Sequence, residues 1–219
     1  MKKPPTKRGD LRYWIVIVGL LAMKPVPALF LAGSSAIVVG AAIHLWAKGC
    51  LRQDRELTTW GPYAFVRHPF YLANAFVDGG ILLLSGNPWM AAFVPLWAFV
   101  YARTIRREDG RMRELFGSLA KSYYKAVPAL VPWRGRAWVA AGGFDSRNPN
   151  IDGGREVPRV LRILAYPALY HTVWALPSPD PIVAGTLALY HAAAFVMLLR
   201  RWRRKKYGTQ RAALGSDVA

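Results

Sequence analysis

Residues 61–71 read Gly-Pro-Tyr-Ala-Phe-Val-Arg-His-Pro-Phe-Tyr, and a second polar stretch, Arg107-Glu108-Asp109, lies further along on a basic helical run. Each sits beside an apolar segment. Arg67 and His68 supply cations, Glu108 and Asp109 supply carboxylates, and Tyr71 supplies a phenol. Such a set would suit a zwitterionic, positively charged ligand. Its ammonium or hydroxyl groups would go to the carboxylates, and its carboxylate to Arg or His. S-adenosylmethionine has that chemistry, although the same residues would also serve in an ordinary interfacial charge network.

Other chemistries find less support. Four scattered histidines and one cysteine give no paired ligands at metal-site spacing, so no metal is expected. Cys50 has no intrachain disulfide partner and reads as a small buried residue. There is no strand-turn-helix serine motif and no phosphate-cradling glycine loop. His44, His171 and His191 read first as packing or hydrogen-bonding residues. Tyr71, Asn74 and Asp78 are spaced to share one helix face. Polar groups at that depth in an apolar helix must face protein or water, which makes Asp78 a functional candidate.

These residues must be positioned by apolar segments. The 219-residue chain is 53% hydrophobic yet carries a formal charge of +18. Six apolar runs are read: Leu11–Met23, Val26–Ala47, Pro69–Ser85, Trp89–Ala102, Ile163–Leu176 and Ile182–Leu199. A bilayer takes about 20 apolar residues per helix, so the second and sixth suffice while others borrow flanking residues. If six helices alternate, every one of the 30 Lys and Arg except Lys24 falls on a single side. That sorting is the positive-inside pattern and not that of a nucleic-acid binder, and it places both termini in the cytoplasm. A cleaved signal peptide at segment one is the alternative; the hairpin broken at Lys24-Pro25-Val26-Pro27 is preferred.

The expected architecture is therefore all-α, a multi-pass transmembrane bundle of about six helices plus a cytosolic helix. Pro69 suits the first turn of segment three, Ser85-Gly86-Asn87-Pro88 ties it to segment four, and Gly117 suggests a break in the cytosolic continuation. Residues 1–133 form the core, with motifs in 60–133. Residues 134–158 read as a cytoplasmic linker, and 159–219 as an additional hairpin with a basic tail attractive to anionic lipids.

Gly61-Pro62-Tyr63-x-x-Val66-Arg67-His68-Pro69-x-Tyr71, followed by an acidic pair, Leu115-Phe116-Gly117, Tyr123, Val127-Pro128 and Val131-Pro132, resembles the isoprenylcysteine carboxyl methyltransferases. Phospholipid and methanethiol methyltransferases share similar elements. The resemblance implies an integral-membrane enzyme that moves a methyl group from S-adenosylmethionine to a lipid-like or small acceptor at the cytosolic face. The acceptor atom would be a carboxylate oxygen, an amine or a thiol. Carried over by position, Arg67, His68, Tyr71, Glu108 and Asp109 would form the cofactor site; Arg67, and Asp78 from its place in an apolar helix, are taken as catalytic candidates. His68, Tyr71, Glu108, Asp109 and Tyr123 are the cofactor-binding ones. The chain departs from the pattern at Asp109, where a second glutamate is usual, at Ala120, which replaces a tyrosine, and at Ala73, which replaces a glycine. The segment after residue 133 has no counterpart in it. Two other readings are a membrane sterol or steroid reductase using NADPH, and a non-catalytic membrane scaffold.

Overall fold

Proline marks where several of the helices begin, its missing N–H costing nothing in a first turn. The computed structural model describes residues 8–52, 56–134, 142–148, 151 and 156–175, and all of its regular elements among these are helical. Helix α1 is Arg8–Leu21, α2 is Pro27–Cys50 and α3 is Pro69–Leu84. Helix α4, Phe93–Ala126, runs for 34 residues, and α5 is Glu156–Ala175. Single 3-10 turns at Gly61–Ala64 and Pro88–Ala92 lead into α3 and α4.

Helix α2, with 24 residues, is long and apolar enough to cross a bilayer; α1 and α3 are apolar but shorter. At about 1.5 Å per residue, the 16 residues of α3 reach roughly 24 Å, short of the roughly 30 Å hydrocarbon core. The fourth apolar run and the cytosolic helix are one continuous element, α4, broken where Gly117 adopts φ 52°, ψ −122°. That left-handed residue redirects the last turns so that Ala120, Tyr123 and Val127 bury against Leu57. The fifth apolar run lies in α5, which already opens at Glu156, inside the stretch read as a linker. The sixth run, its connecting turn and the basic tail lie outside the described residues.

Helices α2 and α3 form the main seam. A Cβ on Gly80 would stand 2.7 Å from the Gly33 carbonyl oxygen, and one on Gly40 would stand 2.7 Å from that of Ala73. Small residues let the two backbones approach this closely, as they do between helices in membranes. Leu11 and Ile15 of α1, Ile37 and Ala41 of α2, Val77 and Ile81 of α3, and Val160 and Ile163 of α5 fill one buried apolar cluster. At one end, Lys24 N–H donates to the Ser85 carbonyl (2.7 Å) and the Asn87 amide donates to the Ala22 carbonyl (2.7 Å). The α1–α2 and α3–α4 connections are thereby locked together, and the polar motifs gather at the other end of α3. The outward faces stay apolar, with Trp14, Leu31 and Phe99 all more than half exposed. The chain divides into residues 1–170, described above, and 171–219, of which residues 171–175 continue α5.

Arg12 lies within α1, its Nε 2.5 Å from Asp78 Oδ1. An acidic group at that depth needs a cation, and α1 delivers one.

The close seam gives a contrast. Gly80→Ala should destabilise the detergent-solubilised protein by about 1–3 kcal/mol through overpacking against the Gly33 carbonyl. Gly79→Ala, where a Cβ meets nothing within 4 Å, should be neutral or stabilising by under about 1 kcal/mol. Thermal unfolding of both variants checks this, and equal losses would mean the seam is not the tight contact.

Candidate active site

The site is built on the turn before α3. Gly61 has φ +61°, and a Cβ there would strike the Cys50 sulfur. The Pro62 carbonyl then accepts from the amides of Phe65 and Val66, both at 3.1 Å, and closes the turn. Arg67 N–H donates to the Pro128 carbonyl (2.9 Å) and His68 N–H to that of Ala129 (3.1 Å). The extended Val127–Pro132 stretch is therefore docked along the motif. Tyr123 reinforces this joint by donating its hydroxyl to the Tyr63 carbonyl at 2.6 Å.

The side chains of Arg67 and His68 converge on α4. Arg67 Nη1 donates to the Tyr124 and Val127 carbonyls (3.1 and 2.7 Å), satisfying acceptors at the helix C-terminus, while Nη2 donates to Asp109 Oδ2 at 3.2 Å. Its guanidinium lies over the Tyr124 ring, 4.5 Å from the centroid. His68 Nε2 is 2.8 Å from Asp109 Oδ1, and Nδ1 is 3.6 Å from Glu108 Oε2. The Tyr71 hydroxyl donates to Glu108 Oε1, and its ring stacks on that of His68.

An imidazole with a carboxylate at each nitrogen favours the doubly protonated form. Burial alone would push His68 down, but the hydrogen bonds to Asp109 and then Glu108, and the charges of both, outweigh it and hold its pKa above the usual value. Asp109 shows the mirror image. Burial would raise it, yet the His68 and Arg67 contacts hold it below the usual carboxylate value. Burial pushes the phenols of Tyr63, Tyr123 and Tyr124 up, so all three stay protonated.

In front of this charge network is a cavity of about 540 Å³. That lies within the range of roughly 300–1,000 Å³ for small-molecule sites. Arg67, His68, Tyr71, Glu108 and Tyr123 all line it, whereas Asp109 stands behind and holds Arg67 and His68 in place. Asp78 is not on the lining. It is paired with Arg12, accepts from Trp97 Nε1 (2.9 Å) and Tyr101 hydroxyl (3.3 Å), and is linked to the cavity lining through Asn74, which accepts from Arg12 at 2.8 Å. The catalytic candidate Asp78 thus occupies a buried network between α1, α3 and α4, where a carboxylate with a cation and two neutral donors is already satisfied.

Three features of the lining were not foreseen from sequence. Tyr63 is 6% exposed, and its hydroxyl has no hydrogen-bond partner among the described residues; nor has the buried Nε of Arg67. Both residues face the cavity and offer unspent polar capacity to a ligand. The lining also carries His44, Lys48 and Arg159, gathered around buried Glu156. Only the oddity of polar residues in apolar helices hinted at these, because nothing in the spacing pairs residue 44 with residue 156. Among the described residues no group of three His, Cys, Asp or Glu stands close enough to hold a metal ion.

Residues 14–118 match the profile of the family described as phospholipid methyltransferase. The chain is 30% identical over 108 residues to the nickel-cobalt-cadmium resistance protein NccN of Alcaligenes xylosoxydans xylosoxydans, covering 48% of this chain and 50% of that one. It is 28% identical over 109 residues to the cobalt-zinc-cadmium resistance protein CzcN of Cupriavidus metallidurans, covering 48% and 50%. Over 105 residues it is 29% identical to the protein-S-isoprenylcysteine O-methyltransferase of Schizosaccharomyces pombe, covering 47% and 44%. The chain spans about half the length of these curated relatives or slightly less. No solved structure matches it.

The His68–Asp109 pair has a definite pH signature. A histidine pKa raised by folding contributes stability that is complete below about 6.5 and is lost as pH rises through the raised value. A depressed Asp pKa contributes above about 3.9 and is lost as pH falls through the lowered value. The pair is intact between those limits. In an NMR titration, Asp109→Asn should move the His68 midpoint down, since burial is then opposed chiefly by Glu108. An unmoved midpoint would show that Asp109 does not hold the proton.

Proposed function

We propose, from the match of residues 14–118 to the phospholipid methyltransferase family, that the protein is an integral-membrane, S-adenosylmethionine-dependent methyltransferase acting on a lipid-like or small amphipathic acceptor. The observation that carries this reading is the cavity wall itself. The Arg67-His68-Pro69-x-Tyr71 motif and Glu108, far apart in sequence, form one lining with unspent polar atoms.

The residues present fit the cofactor. Glu108, 45% exposed at its side chain and already fixed by Tyr71, would take an ammonium or ribose hydroxyls. The orphaned Arg67 Nε, with Arg111 on the same lining, suits a carboxylate. Phe70, Tyr71 and Tyr124 place aromatic rings on the same lining, which suits a purine. When bound, S-adenosylmethionine would supply an electrophilic methyl group, open to attack by an acceptor atom in line with the departing thioether sulfur. Positioning then provides most of the rate, with no covalent enzyme intermediate needed. In this reading Arg67 and His68 orient the cofactor, Asp109 and Tyr123 keep the motif docked on α4, and Asp78 keeps α1, α3 and α4 in register. The apolar outer faces of α1, α2 and α4 contact lipid, the site opens to the cytosolic side, and the acceptor enters from the membrane.

Calorimetric titration of the purified full-length chain with S-adenosylhomocysteine tests the reading, with NADPH as a separate titrant. Saturable binding of the nucleoside that is lost in Glu108→Ala is expected. Binding of NADPH alone would move the chain to the reductases, and binding of neither by a folded sample would favour a non-catalytic scaffold.

A further inference from the structure

The lining of the same cavity also carries a second polar cluster, which the methyltransferase reading leaves unused. His44 lies on the apolar helix α2 and faces the lining, 8% exposed. Its Nε2 is 2.8 Å from Glu156 Oε2, and Glu156 is itself 3% exposed at the first turn of α5. The same carboxylate accepts from Arg159 Nη1 at 2.6 and 2.8 Å and stands 3.5 Å from Lys48 Nζ. Glu156 falls outside the family match, which ends at residue 118.

The hydrogen bond to a carboxylate puts the proton on Nε2 and leaves Nδ1 as the basic nitrogen of a neutral ring. Lys48 and Arg159 share that carboxylate, so Glu156 can orient the imidazole without having to draw a second proton onto it. A buried carboxylate, an oriented imidazole and a cavity is the arrangement of a general base.

We propose that His44 accepts a proton from the methyl acceptor, with Glu156 as its positioning residue, and that the acceptor is therefore protic at the reacting atom, a thiol or an amine nitrogen, and not a carboxylate. This rests on the methyltransferase reading. A lone pair on the acceptor sulfur or nitrogen forms the bond to the methyl carbon. The carbon–sulfur bond of the sulfonium breaks, and its electron pair stays on sulfur as a neutral thioether. The acceptor's proton passes to His44 Nδ1, and Glu156 stabilises the imidazolium until the proton leaves to solvent. A carboxylate acceptor has no proton to give near neutral pH and would leave this apparatus without work.

Dodecanethiol, dodecylamine and dodecanoate share one tail and differ in the acceptor atom, so with S-adenosylmethionine they separate the possibilities. The full-length wild type should methylate the thiol or the amine in preference to dodecanoate, and which of the two distinguishes sulfur from nitrogen. His44→Gln should lower kcat on that probe by about 10²–10⁴-fold with little change in KM. It should also remove the rise of rate with pH through the imidazole range, leaving only the rise that follows ionisation of the acceptor itself. Among the described residues, the charged groups facing His44 are Lys48 on its own helix and Glu156 and Arg159 on α5, while α3 presents the uncharged Phe70. An independent readout needs no turnover. In ¹⁵N-histidine NMR spectra the His44 ring should carry its proton on Nε2, and that preference should collapse in Glu156→Ala. Unfolding midpoints report whether either variant is folded.

Methyl transfer to dodecanoate at a rate indifferent to His44→Gln would overturn the proposal, as would a His44 proton resident on Nδ1. If none of the three probes is methylated, the tautomer alone decides. Failure of the wild type to bind S-adenosylhomocysteine would remove the methyltransferase reading and this inference together. Normal binding with an unimpaired His44→Gln enzyme would remove only the role of His44.

Discussion

Asp109 holds two side chains at once, Arg67 through Oδ2 and His68 through Oδ1, and the geometry of the site follows from that double hold. The three side chains are largely sequestered from water, so each would be costly if left alone. To meet them, α4 must bring its middle turns alongside the N-terminus of α3, and the chain after α4 must fold back. Arg67 closes that return by taking the Tyr124 and Val127 carbonyls, and the main chain of residues 67–68 pairs with residues 128–129. With Asp109 committed to this joint, its neighbour Glu108 can face the cavity and receive Tyr71. Two adjacent acids on one helix thus divide between holding the fold together and facing a ligand.

Behind the site the same principle recurs at greater depth. Asp78 gathers Arg12, Trp97 and Tyr101 from two other helices, and Arg12 reaches on to Asn74. The Tyr101 ring meets Tyr71 edge to face at 5.4 Å, which places the interior network against the back of the cavity wall. Polar groups in an apolar bundle are tolerated when their hydrogen bonds are complete, and complete networks fix one helix register. The glycine seam between α2 and α3 supplies the complementary constraint, because close backbone approach is possible only where no Cβ intervenes.

The segment beyond the family match also contributes to the cavity. Asp145 N–H donates to the Gly49 carbonyl, and the Asn148 amide donates to those of Gly49 and Leu51, satisfying acceptors at the end of α2. Helix α5 then adds Val160 and Ile163 to the core and Arg159 to the lining. In the methyltransferase reading, the motif side belongs to a shared cofactor chemistry, and the side built with α5 is where the identity of the acceptor is decided.

Much of the helical order was legible in the residues. Apolar runs, the prolines at 27 and 69 and the break at Gly117 encode helix limits locally, through backbone geometry and hydrophobic periodicity. The motifs also announced that Arg67, His68, Tyr71 and Glu108 would matter, because charge in such surroundings demands a partner. The sequence by itself therefore determined an all-helical chain with its polar groups concentrated at a few points. Only the tertiary structure decided how those points pair: Asp109 behind the site and Glu108 within it, Asp78 with Arg12, and His44 with Glu156 across 112 positions of the chain. Partner choice depends on which helix faces meet, and that is set by packing, which local sequence does not record.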